Sequence, residues 1–189
     1  MAESLDQWLR AAGEGDAEAW RELIEAYAGR VYALIYRRCG DGELAEEITQ
    51  ATFVKVVGKL AEYRELGRFE AWLFRIAING LRDEMRRRKR HAVSVDFGQT
   101  PPETLGRTAP GPMPHEALER QEREAMLRRT VAKLPEADRE MIELRYTAEL
   151  TFAQIAEVLG EPLGTVLARG HRALKKLREM LKGQMTGEE

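Results

Sequence analysis

The last third of the chain most constrains its fold, because residues 151 to 181 predict two helices joined by a short turn. Thr151 can cap the first helix, and Gln154, three residues later, can return a hydrogen bond to the cap. Gly160 is the residue type that most often ends a helix, and Pro162 is suited to starting the next one. The segment therefore predicts a helix-turn-helix.

The second of these helices has one packing face and one basic face. Small and apolar residues fall on one stripe at helical spacing: Leu163, Val166, Gly170, Ala173, Leu174, Leu177 and Leu181. In helix-turn-helix proteins the early residues of the second helix approach base edges, and later basic residues contact phosphates. We therefore expect Thr165 and Arg169 to contact bases. The expected phosphate contacts come from Arg172, Lys175 and Lys176. An ordinary amphipathic helix with a solvated basic face is the alternative.

The composition excludes several classes of protein. Of the 189 residues, 43% are hydrophobic and 33% charged, which is typical of one or two small globular domains. No apolar run is long enough to span a membrane and no secretory signal begins the chain, so we expect a cytoplasmic protein. Cys39 is the only cysteine, and the three histidines lack metal-ligand spacing. We expect no metal, no cofactor and no enzymatic activity, because no catalytic grouping occurs at a workable spacing.

The charged residues are segregated along the chain. The formal net charge is −2, yet acidic residues crowd the early helices while basic residues crowd positions 82–90 and 169–182. Because few phosphates would be neutralised and the acidic surface opposes approach, we expect the chain to bind DNA weakly by itself. A partner would have to supply the remaining affinity.

Residues 93–115 predict a flexible linker, since they contain five of the seven prolines and three glycines. The rest of the chain shows helical spacing and no strand-like alternation. The predicted fold is therefore all-α, with two small helical domains at residues 1–92 and 116–185, the second containing the helix-turn-helix. Fully extended, the linker would span about 75 Å at roughly 3.3 Å per residue, enough for the domains to occupy separate DNA sites.

The first domain is predicted to contain long helices. Apolar residues recur at helical spacing from Ala17 to Ile35 and include Ile24, with a break expected near Gly29. A second helix covers residues 44–60, and its outward stripe is acidic and then apolar: Glu43, Glu47, Gln50 and Val54. Such a stripe is either simply solvated or a protein-docking face.

The next helix, at residues 69–90, combines an apolar face with a polar stripe. The apolar face consists of Phe69, Trp72, Leu73, Ile76 and Ala77, and the polar stripe of Arg75, Asn79, Arg82, Arg86 and Arg90. Arginine and asparagine side chains are suited to phosphates and base edges. Alternatively, the basic run at 86–90 simply ends the helix, where the helix dipole favours positive charge.

Four stretches of the sequence resemble the extracytoplasmic-function (ECF) class of bacterial sigma factors. In the first domain they are Glu-Ile-Thr-Gln-Ala-Thr-Phe at 47–53 and Phe-Glu-Ala-Trp-Leu-Phe-Arg-Ile-Ala-Ile-Asn at 69–79. In the second domain they are Leu-Pro-Glu at 134–136 with the helix at 139–146, and residues 155–160 continuing to Gly-Thr-Val at 164–166. The resemblance extends from about residue 16 to residue 181, in the family's order and with the family's linker.

The resemblance implies an initiation subunit of bacterial RNA polymerase. It implies binding to the core enzyme through Glu43, Glu47 and Gln50, recognition of −10 and −35 promoter DNA, and promotion of DNA melting. The resemblance assigns recognition of the −35 element to the helix-turn-helix. It assigns recognition of the −10 element to the loop at 63–68 and the helix after it, through Tyr63, Arg68, Arg75, Asn79, Arg82 and Arg86. The family also implies an anti-sigma factor as a further partner. A free-standing helix-turn-helix regulator is the alternative function.

The recognition helix departs from the family at three positions. The family usually has Gly-Thr-Val-Lys-Ser-Arg-Leu where this chain has Gly-Thr-Val-Leu-Ala-Arg-Gly at 164–170. Leu167 removes a phosphate donor, and Ala168 removes a hydroxyl. We expect Gly170 to cost about 1 kcal/mol in the helix and to leave space where leucine commonly packs. The sequence therefore predicts weaker −35 binding or an unusual −35 sequence.

Overall fold

The computed structural model describes residues 2–63, 67–92 and 114–185, and the regular structure in these ranges is entirely helical, as predicted. The helices are α1 (Ala2–Gly13), α2 (Ala17–Cys39), α3 (Gly42–Leu60), α4 (Phe69–Ala92), α5 (Pro114–Ala132), α6 (Glu136–Tyr146), α7 (Phe152–Leu159) and α8 (Leu163–Met185). Residues 93–113 of the predicted linker lie outside the described residues. Its last two residues, Pro114 and His115, belong to α5.

Helices α1–α4 form the first domain around one apolar core, with α2 packed on α3 and on α4. Its largest fully buried side chains are Leu23, Leu34, Ile35, Leu44, Phe69, Leu73, Phe74 and Ile78. Each such side chain contributes roughly 1.5–3 kcal/mol by leaving water. Helix α1, which the sequence pattern had not singled out, joins this core through Leu9 and Ala12.

Helix α2 continues through Gly29, so the predicted break is wrong. Tyr27 and Val31 are buried on either side of the glycine, and a Cβ at Gly29 would meet no atom within 4 Å. Packing of these neighbours outweighs the cost of about 1 kcal/mol that glycine imposes inside a helix. The core assignment is also wrong for Ile24, whose residue is 43% exposed.

The connection from α2 to α3 is set by two local signals. Gly40 ends α2 in the left-handed conformation, with φ of 69°. Asp41 caps α3 by accepting a hydrogen bond from the backbone N–H of Leu44 at 3.1 Å. This short turn places α2 and α3 side by side, as in a helical hairpin.

Helices α5–α8 form the second domain, in which α6 and α7 pack on α8. The predicted capping box is confirmed, because the Thr151 hydroxyl accepts from the Gln154 N–H at 3.2 Å and the Gln154 amide oxygen accepts from the Thr151 N–H at 2.8 Å. Gly160 then ends α7 with φ of 68°. Val166 and Ala173 of α8 are buried against this pair of helices, which completes the predicted helix-turn-helix.

Gly170 does not leave the space expected from the family pattern. A Cβ at this position would lie 2.8 Å from the Phe152 ring and 3.4 Å from the Met141 sulfur. The aromatic ring of α7 thus occupies the volume where a larger residue of α8 would pack. The packing stripe was also wrong for Leu163, which is exposed at the start of the helix, where few neighbours surround it.

The two domains contact each other: α4 packs on α7, and α2 lies against α6. The linker length had indicated only that the domains could reach separate DNA sites, and no pattern in the sequence indicated this contact. None of the helices in the described ranges is long and apolar enough to cross a membrane.

Candidate nucleic-acid interface

The predicted docking stripe of α3 lies on the surface of the first domain. Glu43, Glu47 and Gln50 are all exposed, and Gln50 donates to the Glu46 carboxylate at 3.3 Å. Val54 and Val57 continue this surface and are 72% and 54% exposed. Helix α3 therefore presents an acidic row followed by apolar side chains, as the sequence predicted.

The start of α4 is held by a cluster of aromatic rings. Tyr63 stacks on Trp72 with 4.7 Å between ring centroids, and its edge meets Phe69 at 6.0 Å. Since Phe69 is fully buried, Tyr63 anchors the segment before α4 to the core. Residues 64–66 of the predicted −10 loop lie outside the described residues.

The polar stripe of α4 lies on one exposed side of that helix. Arg75, Asn79, Arg82 and Arg86 are all exposed at the predicted spacing. Arg86 pairs within its own helix, with Asp83 at 2.5 Å. The structure therefore brings four of the six predicted −10 residues onto one line, with Arg68 just before the helix.

Three arginines of this predicted −10 set contact the second domain. Arg82 pairs with Glu140 of α6 at 2.9 Å, and Arg68 lies 3.5 Å from the carboxylate of Glu157 in α7. Arg75 donates to the backbone carbonyl oxygen of the same Glu157. The second domain thus offers oxygen atoms to arginines that the sequence assigned to DNA.

A partly buried polar network supports the same contact between the domains. The Arg30 guanidinium donates to Glu70 at 2.8 Å and to the carbonyl oxygen of Ala148 at 2.5 Å. The side-chain amide of Gln154 donates to the other oxygen of Glu70 at 2.7 Å. Gln154 therefore belongs both to the capping box of α7 and to the contact with α4.

Arg38 makes a second ionic contact with α6. It pairs with Glu140 at 2.9 Å, the carboxylate that Arg82 also contacts, and lies 3.9 Å from Glu143. Burial raises the pKa of Glu143, and the positive charge of Arg38 opposes that rise. Glu140 and Glu143 of α6 therefore both face arginines of the first domain.

Acidic residues partly neutralise the basic end of α4. Arg88 pairs with Glu84 and with Asp41, each at 3.0 Å, and Arg87 pairs with Glu84 at 2.7 Å. The Leu44 N–H and then Arg88 hold the pKa of Asp41 below its usual value, and Arg87 lowers the pKa of Glu84. The basic run at 86–90 therefore forms ion pairs within its own domain and is also exposed to water.

Most of the predicted −35 residues are exposed on α8. Thr165, Arg172, Lys175 and Lys176 all face solvent. Arg169 is less exposed than these residues, because its guanidinium pairs with Glu161 at 2.8 Å and its side chain is only 17% exposed. The basic surface of α8 therefore begins at Arg172, one turn later than the sequence suggested.

The sequence analysis missed the acidic partners of these arginines. Glu140, Glu157 and Glu161 lie at unremarkable helical or turn positions, and spacing along the chain gives no signal for a contact between domains. Only Glu161 offered a local hint, since it lies in the turn eight residues before Arg169.

Family models match both domains of the chain. The model described as Sigma-70 region 2 matches residues 23–91, and the model described as Sigma-70, region 4 matches residues 131–179. The first match covers most of α2, all of α3 and α4 as far as residue 91, and the second covers α6, α7 and α8 as far as residue 179.

Curated relatives match over nearly the whole chain. The ECF RNA polymerase sigma factor SigW of Bacillus subtilis is 30% identical over 185 residues, which cover 96% of this chain and 99% of SigW. The ECF RNA polymerase sigma factor SigE of Mycolicibacterium smegmatis is 35% identical over 166 residues, covering 86% of this chain and 62% of SigE.

Two solved structures have the same fold. CnrH in complex with the cytosolic domain of CnrY superposes with a TM-score of 0.67 at 22% identity, covering 95% of this chain and 98% of CnrH. The sigma factor RpoE from Bartonella quintana, in complex with the anti-sigma factor NepR, gives a TM-score of 0.69 at 21% identity, covering 88% and 98% of the two chains.

Proposed function

The chain belongs to the ECF family of RNA polymerase sigma factors, and from this premise we propose how its two domains divide promoter recognition. Sigma factors of this class bind core RNA polymerase, recognise the −10 and −35 elements and promote melting. The first domain, residues 1–92, would bind core enzyme and the −10 element. The second, residues 116–185, would bind the −35 element as duplex DNA.

The observation that supports this division most directly is an exposed row of basic side chains on α4 of the first domain and another on α8 of the second. On α4 the stripe from Arg75 to Arg86 includes Asn79, a side chain suited to base edges. On α8 the exposed cations include Arg172, Lys175 and Lys176. The polymerase would contact Glu43, Glu47 and Gln50 of α3, and the exposed Val54 and Val57 would add apolar area there.

Melting needs no covalent chemistry from this subunit. A base that leaves the duplex and enters a protein site stabilises the open strand, because the closed duplex cannot make that contact. We propose Tyr63, Arg68, Arg75, Asn79, Arg82 and Arg86 as the residues that hold the melted −10 strand. The protein would act as a binding subunit without catalytic residues or cofactor.

We propose core RNA polymerase and promoter DNA as partners, in the cytoplasm where both are found. The two solved neighbours with this fold are named as complexes, one of them with an anti-sigma factor. An anti-sigma factor is therefore proposed as a third partner, and the surfaces it would have to cover are those of α3, α4 and α8.

Run-off transcription with purified core polymerase, this protein and a pool of randomised promoter fragments tests the proposal. Sequencing of the transcribed templates should reveal a two-part motif with separate −10 and −35 elements. A single-element motif would contradict the role of the second domain. Absence of binding to core enzyme in a parallel titration would contradict the proposal as a whole, and Glu47→Lys should weaken that binding without changing the melting temperature.

A further inference from the structure

The first two turns of α8 expose almost no charge. Leu163 is 45% exposed and Leu167 44% exposed, and Gly164, Thr165 and Ala168 are also at the surface. The charged residue in these turns, Arg169, is half-buried against Glu161. In a helix-turn-helix this end of the second helix approaches the base edges. The surface that would face the bases is therefore mainly apolar.

The exposed cations lie just beyond this apolar surface. Arg172 is one turn after Ala168, and Lys175 and Lys176 follow on the exposed side of α8. Phosphate contacts by these residues would hold the start of the helix in the major groove. The small side chain of Ala168 would allow close approach there, which brings the neighbouring Leu167 to the base edges.

The C5-methyl group of thymine is the only methyl group on the major-groove edge of the base pairs. A leucine placed against guanine or cytosine would remove water from polar atoms without replacing their hydrogen bonds. We propose that Leu167, with Leu163 one turn before it, selects thymine in the −35 element by contacting its methyl group. This inference rests on the proposed −35 role of the second domain.

The size of the effect follows from burying one methyl group. Moving one methyl group out of water contributes about 0.8 kcal/mol. Because each tenfold change in affinity equals about 1.4 kcal/mol, this contact should change the affinity about fourfold. Deoxyuridine has the hydrogen-bonding groups of thymidine and lacks only this methyl group. Replacing the critical thymine by uracil should therefore lower affinity about fourfold without altering any polar contact.

The test uses holoenzyme assembled from core polymerase and the full chain, bound to the −35 element found by the randomised-promoter selection. Each thymine on either strand is replaced in turn by uracil, and the affinity is measured by competition. We expect one or two positions to lose about fourfold with the unaltered protein. The same positions should show no loss with Leu167→Ala and should keep the loss with Leu167→Met, which remains apolar.

Several outcomes would overturn the inference while leaving the proposed function intact. These are a −35 element without thymine, insensitivity to uracil at every position, and a uracil effect that persists in Leu167→Ala. Because Leu167 is exposed, its variants should melt at the temperature of the unaltered protein, and that measurement excludes misfolding as the cause. A selection that yields no −35 element at all would instead overturn both proposals.

Discussion

The two basic surfaces of this protein differ in what lies against them. Arg68, just before α4, and Arg75 and Arg82 on α4 contact oxygen atoms of the second domain. On α8, Arg172 and Lys176 are exposed, and no ion pair links either to another residue within the described ranges. In this arrangement the domain proposed to bind the −35 element covers part of the surface proposed for the −10 element.

The difference shows that residue type alone does not determine whether a basic helix face is available. Both faces have arginines at helical spacing, and both were predicted from that spacing. Whether the α4 surface is covered depends on Glu140 and Glu157, which belong to a different domain and pair with arginines proposed to contact phosphates.

The largest expected effect comes from removing positive charge from the exposed surface of α8. Arg172→Ala with Lys176→Ala should lower the affinity of holoenzyme for promoter DNA on the order of 100-fold, because two charged hydrogen bonds at roughly 1.5 kcal/mol each would be lost. The dependence of affinity on salt should also become shallower. Competition binding at several salt concentrations measures both quantities.

Arg128→Ala with Arg129→Ala on α5 is the matched control, since it removes the same charge from exposed positions of the same domain. An equal loss of affinity in this control would mean that net charge, and not the α8 surface, determines binding.

Gly170 of α8 lies so close to the Phe152 ring of α7 that a Cβ at this position would be 2.8 Å from it. Gly170→Leu, which restores the residue usual in the family, should destabilise the second domain by about 1–3 kcal/mol through overpacking. Denaturant unfolding measures this change. Phe152→Ala in the same chain should recover part of the loss, because it makes room for the leucine.

Gly164→Ala tests whether the effect is specific to that contact. A Cβ at Gly164 meets no atom within 4 Å, so this variant should be neutral or stabilising by up to about 1 kcal/mol. Stabilisation by Gly170→Leu would instead show that position 170 is underpacked.

The surface of α4 that the second domain covers can be exposed by replacing one side-chain amide with a carboxylate. Gln154→Glu keeps an acceptor for the capping box, yet it removes the amide donor to Glu70 and places two carboxylates together. Loss of about 1–2 kcal/mol of contact energy should shift the population toward separated domains by about tenfold. Small-angle scattering should then give a larger radius of gyration.

Gln50→Glu is the control for this exchange, because it makes the same chemical change on the exposed face of α3. An unchanged radius of gyration in Gln154→Glu would argue that the Gln154–Glu70 hydrogen bond does not hold the domains together.

The smallest expected effect concerns an ion pair of α4 inside its own domain. Asp41→Asn keeps a good helix cap but loses the charge that faces Arg88. Since the folded state holds the pKa of Asp41 below its ordinary value, the carboxylate stabilises the fold above the ordinary pKa and loses that effect as the pH falls through the folded one. At neutral pH the unaltered protein should therefore be more stable by up to about 1 kcal/mol.

Unfolding free energies at neutral and acidic pH measure this difference, which should vanish in acid. Asp83→Asn, which affects the more exposed pair with Arg86, should show a smaller difference. A gap between the unaltered protein and Asp41→Asn that stays constant with pH would contradict the electrostatic explanation.

Local signals allowed much of the fold to be predicted. The capping box at Thr151, the left-handed Gly160 and the apolar spacing of α3 each act within a few residues, and each is found in the structure. The break at Gly29 was wrong, because buried neighbours outweigh the helix propensity of one glycine.

The candidate site was less predictable, because side-chain partners come from distant parts of the chain. The exposed face of α4 followed from spacing, but its contact with Glu140 depends on residues 58 positions apart. Arg169 had the right spacing for a base contact and nevertheless pairs with Glu161. Spacing identifies a face, while the choice between water, DNA and a carboxylate depends on the three-dimensional neighbours.

The ionic contact between α4 and the second domain affects how the whole protein should respond to salt. Added salt weakens partly exposed ion pairs such as Arg68–Glu157 and Arg82–Glu140, and it also weakens contacts between arginines and phosphates. The weaker ion pairs expose the α4 surface to DNA, while the weaker phosphate contacts lower the affinity for DNA. The unaltered chain should therefore lose promoter affinity with rising salt more gradually than Gln154→Glu, in which the domains should already be separated more often.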